Sequence, residues 1–268
     1  MPLDVVQSLH SSVRTGIEGS ETSVGKALAL LDAFDSSRAV LGVSELANRA
    51  HLPKSTAHRL LAVLVEHQYV QRVGDRYCLA DRMFELGNQV SICRPNGLRE
   101  RAIPFMAELY AETHETVHLA VLRGTDVLYL EKIFGHNTTQ CGTTVGTRKP
   151  AYCTALGKAI LAYADPETVQ LNLAGKMQRH TPYTLTQPGR LQSSLVRIRD
   201  EGVATDFEEW HLGVTCLAAP LLDPATGRAM AAVSISSLSS RGDIRRFSPR
   251  LRRITEMLSS RLAAPVSV

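Results

Sequence analysis

The chain has 268 residues, 44% of them apolar and 21% charged, with a net charge of +4 and a pI near 8.9. That is room for two domains of roughly 100–200 residues each, with real cores, and it permits a nucleic-acid partner without demonstrating one. No apolar run approaches the ~18 residues of a membrane helix and no signal-peptide core opens the chain, so a cytoplasmic protein with no membrane partner is expected.

Residues 1–21 are rich in Ser, Gly and Thr, with Arg14 as their one Arg or Lys; they read as a flexible arm rather than an arm that reaches into a DNA minor groove. Ser23 can cap a first helix whose apolar stripe is Val24, Ala27, Leu28, Leu31 and Phe34, with Asp35-Ser-Ser as its exit. Val43 to Leu64 reads as two short helices joined at His51-Leu52. Ser44 can cap the first, and Pro53 takes the first position of the second. In the second helix Ala57, Leu60, Leu61 and Leu64 share one face, while Ser55 and Arg59 point away and Lys54, Thr56 and His58 lie near the edges. Such a helix suits a DNA major groove, although any helical hairpin with a solvated face shows the same pattern. Residues 69–79 shift the balance towards DNA: the strands Tyr69–Val73 and Arg76–Leu79 flank the turn Gly74-Asp75, with Arg72 and Arg76 beside it. A helix-turn-helix followed by a two-stranded wing is a winged helix-turn-helix.

Asp81 to about Ile92 reads as a linker helix, packed either within its own chain or on the same helix of a second subunit. The expected division is an arm at 1–21, a DNA-binding domain at 22–80, a linker helix at 81–93 and a second domain at 94–268. In that second domain, Leu98 to Thr113 is an amphipathic helix in which Pro104 predicts a kink or restart. Thr116–Leu122 and Val127–Ile133 form a hairpin, Cys153–Ala162 a small-residue helix, and Asp165-Pro-Glu167 begins another helix. A helix over Leu191–Glu201 ends at Gly202, strands follow at Thr215–Leu221 and Met230–Ser236, and a last helix runs from about Pro249 to Leu262 with its arginines on a solvated face. Helices mixed with antiparallel hairpins give an α+β fold.

The five cysteines, Cys78, Cys93, Cys141, Cys153 and Cys216, are odd in number, scattered and never spaced as CxxC, which suits reduced thiols. His114 and His118 beside Cys141 or Cys153 show no metal-ligand spacing, so neither a metal nor a cofactor is expected.

Four stretches resemble, in order, the IclR-type transcriptional regulators of bacteria: LPKSTAHRLLAVLVEHQYVQRVGDRYCLA, ETVHLAVLRGTDVLYLEKI, VGTRKPAYCTALGKAILAY, and GVATDFEEWHLGVTCLAAPLLD followed by VSIS. In the last block Gly202, Asp206, Glu209 and Cys216 fall at the family's signature spacing, and the resemblance spans residues 23 to 262. It implies a winged helix-turn-helix, a linker helix and a C-terminal GAF-like effector-binding domain built on an antiparallel sheet. It also implies a dimer or tetramer on palindromic operator DNA, repressing or activating a catabolic operon in response to a small organic or aromatic acid. For DNA, Ser55, Thr56 and Arg59 are candidates for base edges and phosphates, with Lys54 and His58 beside them, and Arg72 and Arg76 for phosphates. Carried over by motif position, Ala155 and Leu156 offer backbone amides to a carboxylate, and Asp206, Cys216, Ser234 and Ser236 are further contacts. Leu156 is bulkier than the residue found in members that take very small acids. Each pocket residue also has a plainer role open to it, packing for Cys216, capping for Asp206, and a solvent face for Ser234 and Ser236. The rival class is an enzyme, with Cys216, a histidine and Asp206 as nucleophile, base and orienter.

Overall fold

A computed structural model describes residues 22–34, 40–94, 96–135 and 142–263. The arm read at 1–21, the exit at Asp35-Ser-Ser and Cys141 lie outside them. The described residues form two compact units that divide at residue 94.

In the first unit, α1 spans Ser23–Asp32 and is capped by Thr22, whose Oγ1 accepts the Gly25 amide at 3.1 Å; Ser23, the expected cap, is the first helical residue. Leu30 is its fully buried side chain, while Val24 and Leu28 of the expected stripe face solvent. The chain returns as a short strand β1, Leu41–Gly42, and Gly42 rather than Ser44 precedes α2, Val43–Arg49, without a side-chain cap. His51 makes the turn in the left-handed region at φ 54°, and Pro53 stands one residue before α3, Lys54–Glu66. The wing strands are β2, Val70–Val73, and β3, Arg76–Leu79, with Gly74 at φ +63° in the turn between them. β1 pairs with β3, so the wing is a three-stranded sheet in the order β1-β3-β2. Leu30, Leu46, Leu61, Val70 and Tyr77 from all these elements share one core, and Leu-to-Ala changes at such positions cost about 2–5 kcal/mol. Helix α4, Asp81–Asn88, ends earlier than expected and buries none of its residues; Phe84, Leu86 and, just beyond, Val90 are exposed.

In the second unit, α5, Leu98–Thr113, continues through Pro104 without a restart. Strands β4, Thr116–Arg123, and β5, Asp126–Ile133, form the expected hairpin, and β6, Arg148–Pro150, adds an outer strand with no sequence signal of its own. A 3-10 turn at Ala151–Cys153 leads into α6, Ala155–Leu161, which starts two residues later than expected and is buried throughout. Helices α7, Pro166–Ala174, and α8, Pro188–Glu201, follow; Gly202 ends α8 at φ 72°, a conformation that favours glycine. The chain then adds β7, Ala204–Phe207, β8, Val214–Leu222, β9, Ala229–Leu238, a 3-10 turn at Ile244–Phe247, and α9, Ser248–Ala263.

The six strands form one antiparallel sheet in the order β6-β5-β4-β9-β8-β7. Helices α5 and α9 pack on one face and α6 on the other. The arginines of α9 are not all simply solvated: Arg250 pairs with Glu112 and Arg253 with Glu108 and Glu112 of α5. Such surface pairs contribute about 0–1 kcal/mol each.

Candidate functional site

In the first unit, α3 buries Ala57, Leu60, Leu61 and Leu64, which fixes its rotation and turns Lys54, Ser55, His58 and Arg59 outward. Thr56 is half-buried at the edge of that face. Among the described residues, no hydrogen bond or ion pair engages the side chains of Lys54, Ser55, His58 or Arg59. They form a polar, cationic face on a helix anchored from behind, the arrangement a major groove accepts. On the wing, Arg72 donates from Nε to the Gly74 carbonyl at 2.8 Å and so braces the turn, whereas Arg76 projects to solvent.

The second site is a cavity between the sheet and the start of α6. Residues paired across an antiparallel ladder project to the same face, so register brings its polar groups together. Asp206, Cys216, Ser236 and Thr116 lie in one row across β7, β8, β9 and β4; Ala204, Ala218, Ser234 and His118 form the next. The small residues of these rows leave the space. Asp206, Cys216, Ser234 and Ser236 line it on the sheet side, and Ala155 and Leu156 line it from α6. Among residues not expected from sequence, His118, Tyr129, Thr143 and Trp210 also line it. In the sequence His118 reads as an alternating strand residue and as a histidine without metal-ligand spacing; its place beside Ser234 follows from pairing β4 with β9, about 115 residues away in the chain.

At the α6 end, Thr154 caps the helix. Its Oγ1 accepts the Gly157 amide at 3.1 Å and its carbonyl accepts the Lys158 amide at 3.0 Å. The amides of Ala155 and Leu156 stand ahead of these and have no acceptor within the helix. At the other end the groups form a chain: Cys216 Sγ lies 3.1 Å from Ser236 Oγ, which lies 3.5 Å from His118 Nδ1, while His118 Nε2 lies 2.8 Å from Thr143 Oγ1. Burial, aided by the charge of Lys132, lowers the His118 pKa to about 3, so the ring is neutral at ordinary pH. Burial raises Asp206 to about 7, opposed by the nearby Lys158 ammonium, and its Oδ1 accepts the Glu209 amide at 2.7 Å. No lysine or arginine is among the lining residues. The cavity is tight, about 20 Å³, room for the centre of roughly one water molecule. Trp210 forms part of its rim, packed on His180 with ring centroids 4.4 Å apart and under the Lys149 ammonium at 4.3 Å.

This geometry does not make a thiol enzyme. Ser236 stands between Cys216 and His118, the histidine is too weak a base to draw a proton from a thiol near neutral pH, and an Asp206 oxygen is committed to the Glu209 backbone. Among the described residues, no three His, Cys, Asp or Glu side chains come together as a metal site, and no helix is long and apolar enough to cross a membrane.

A winged helix-turn-helix joined to a second domain with a cavity that carries a few polar groups among apolar walls defines a DNA-binding regulator of transcription that responds to a small molecule. Residues 23–74 match the family model of the IclR helix-turn-helix domain, and residues 91–260 that of the bacterial transcriptional regulator IclR C-terminal domain. The chain belongs to the IclR family of transcriptional regulators, a family of regulators and not of enzymes. It is 33% identical over 251 residues to the HTH-type transcriptional regulator XynR of Escherichia coli (strain K12), covering 91% of this chain and 98% of that one. It is 35% identical over 231 residues to the HTH-type transcriptional regulator BhcR of Paracoccus denitrificans (strain Pd 1222), covering 83% and 81%. Among solved structures, an IclR homolog from Microbacterium hydrocarbonoxydans complexed with 4-hydroxybenzoate is similar with a TM-score of 0.82 at 26% identity, over 91% of this chain and 100% of that one. The Thermotoga maritima IclR has a TM-score of 0.75 at 30% identity, over 90% and 99%.

Proposed function

We propose that this regulator holds a small organic or aromatic acid in the cavity under α6 and, as a homodimer or homotetramer, reads a palindromic operator of a catabolic operon in the cytoplasm. The observation that carries the ligand class is the division of the cavity into two ends. The amides of Ala155 and Leu156 offer neutral donors to a carboxylate, and Asp206, Cys216, Ser234 and Ser236 with His118 offer hydrogen-bond partners to a polar group opposite. The 4-hydroxybenzoate bound to the Microbacterium homolog is an acid of this class, which supports the reading. Since the cavity is tight, entry of an aromatic acid moves Leu156 or Trp210 aside.

In this reading residues 22–80 bind DNA, 81–93 link and 94–268 bind effector. Ser55, Thr56 and Arg59, flanked by Lys54 and His58, meet base edges and phosphates, and Arg72 and Arg76 meet phosphates. The exposed apolar residues Val24 and Leu28 on α1 and Phe84 and Leu86 on α4 support an oligomer, since a second copy would cover them. The test is a thermal-shift screen of the intact protein against aliphatic and aromatic carboxylic acids. A true effector at about 100 times its Kd stabilises by about 2.7 kcal/mol. A saturable shift that Ser234→Val abolishes supports the reading, and a flat response to the whole panel counts against the acid effector.

A further inference from the structure

A second concavity in the same unit shares no lining residue with the effector cavity. It is an open groove of about 540 Å³ between α8 and the outer strand β7. Its inner wall is the ion pair of Lys158 with Glu209, which are only 1% and 6% exposed. The pair engages Oε1 of Glu209; Oε2 is buried and has no partner among the described residues. A buried charged acceptor left unmet is costly, and since Glu209 lines the groove, this oxygen is the acceptor still open to an O–H or N–H that enters and packs against it.

The mouth has the opposite character. Arg190 and Arg197 lie two turns apart on one face of α8, and Arg245 faces them from the 3-10 turn, its guanidinium 5.5 Å from the Phe207 ring. All three are exposed. The Arg190 guanidinium has no partner among the described residues, and Arg197 meets Glu201 only at 3.9 Å. Guanidinium groups at the mouth select an oxyanion. A bare amine suits Glu209 Oε2 but meets the cationic mouth first, and an anion with no hydroxyl leaves Oε2 unmet.

We propose that this groove is a second ligand site, which takes a small oxyanion that also carries hydroxyl groups, the chemistry shared by sugar acids and sugar phosphates. The anionic group sits among Arg190, Arg197 and Arg245, and a hydroxyl donates to Glu209 Oε2. The site stands apart from the effector reading, because the two pockets have no side chain in common.

The experiment is calorimetric titration of the intact protein with D-gluconate, glucose 6-phosphate and sulfate. At least one hydroxylated probe binds saturably and about tenfold or more tighter than sulfate. The Arg190→Ala/Arg245→Ala variant, which changes only exposed side chains, weakens that probe by about tenfold or more, and Ser234→Val in the effector cavity leaves it unchanged. Failure of both hydroxylated probes to saturate, equal binding of sulfate, or binding untouched by the arginine changes overturns the proposal. So does loss of binding in Ser234→Val, which assigns the probe to the effector cavity.

Discussion

Lys158 of α6 and Glu209 of the loop after β7 form a nearly buried ion pair at the inner wall of the groove, and the Glu209 amide is held by Asp206 Oδ1 at 2.7 Å. One contact network therefore runs from the buried helix through the pair to the cavity wall. Lys158→Met strands a buried carboxylate and is expected to destabilise the protein by about 3–5 kcal/mol, whereas Lys158→Met/Glu209→Gln recovers most of the loss. Urea unfolding of both variants checks this; equal losses in the two would show that charge is not what matters there.

Gly157 is a point of close approach rather than a flexible joint. A Cβ there would stand 2.2 Å from the Ala151 carbonyl oxygen and 2.3 Å from its Cα, in the 3-10 turn that precedes α6. Backbone cannot move aside as a flexible side chain can, so Gly157→Ala pushes α6 away from the turn. The expected cost is about 1–3 kcal/mol, with loss of the carboxylic-acid response because Ala155 and Leu156 move with the helix. A variant with unchanged melting temperature and ligand response would contradict this.

Acid and base act on the cavity in opposite senses. Burial raises Asp206 from 3.8 to about 7, so between those values the folded protein holds a proton that the unfolded chain has released. The associated stability is present at low pH and lost as pH rises through about 7. Asp206→Asn keeps an acceptor for the Glu209 amide but has no proton to lose, so it gains stability relative to the parent as pH rises from about 4 to about 7. Burial lowers His118 from 6.5 to about 3, and the stability tied to its neutral ring is present above 6.5 and lost as pH falls toward 3. Unfolding both proteins at each pH measures the Asp206 contribution directly, and a pH-independent difference would refute it.

On DNA, Arg59 and Arg76 are expected to separate. Arg59→Ala on α3 weakens operator binding by about 1–3 kcal/mol with little effect on random DNA. Arg76→Ala on the wing weakens both alike and lowers the salt slope by about one. Titrations of the two DNAs at several salt concentrations distinguish these patterns, and equal losses on both DNAs for both variants would remove the division of labour.

The first unit was largely legible in the sequence because its signals are local. The Ala57-Leu60-Leu61-Leu64 face and the Gly74-Asp75 turn lie within a few residues of the groups they position, and the structure places them as read. Caps were less legible: Thr22 and Ser23 are both competent, and the backbone at Ser23 is already helical. In the second unit, motif positions led to Asp206, Cys216, Ser234 and Ser236, and all four do line one cavity. His118, Thr143 and Trp210 were missed as lining residues because only non-local strand register and loop packing bring them there. Strands β6 and β7 were missed for a related reason: at three and four residues they have too little alternation to stand out.

Trp210 is the one tryptophan in the chain, and it lines the cavity between the sheet and α6, packed against His180. Indole emission from this protein therefore has a single origin. Its colour and intensity report the polarity and quenching at the cavity mouth, free of any background from the DNA-binding unit. The molecule carries its own optical probe of occupancy, and titrating it with ligand requires no label.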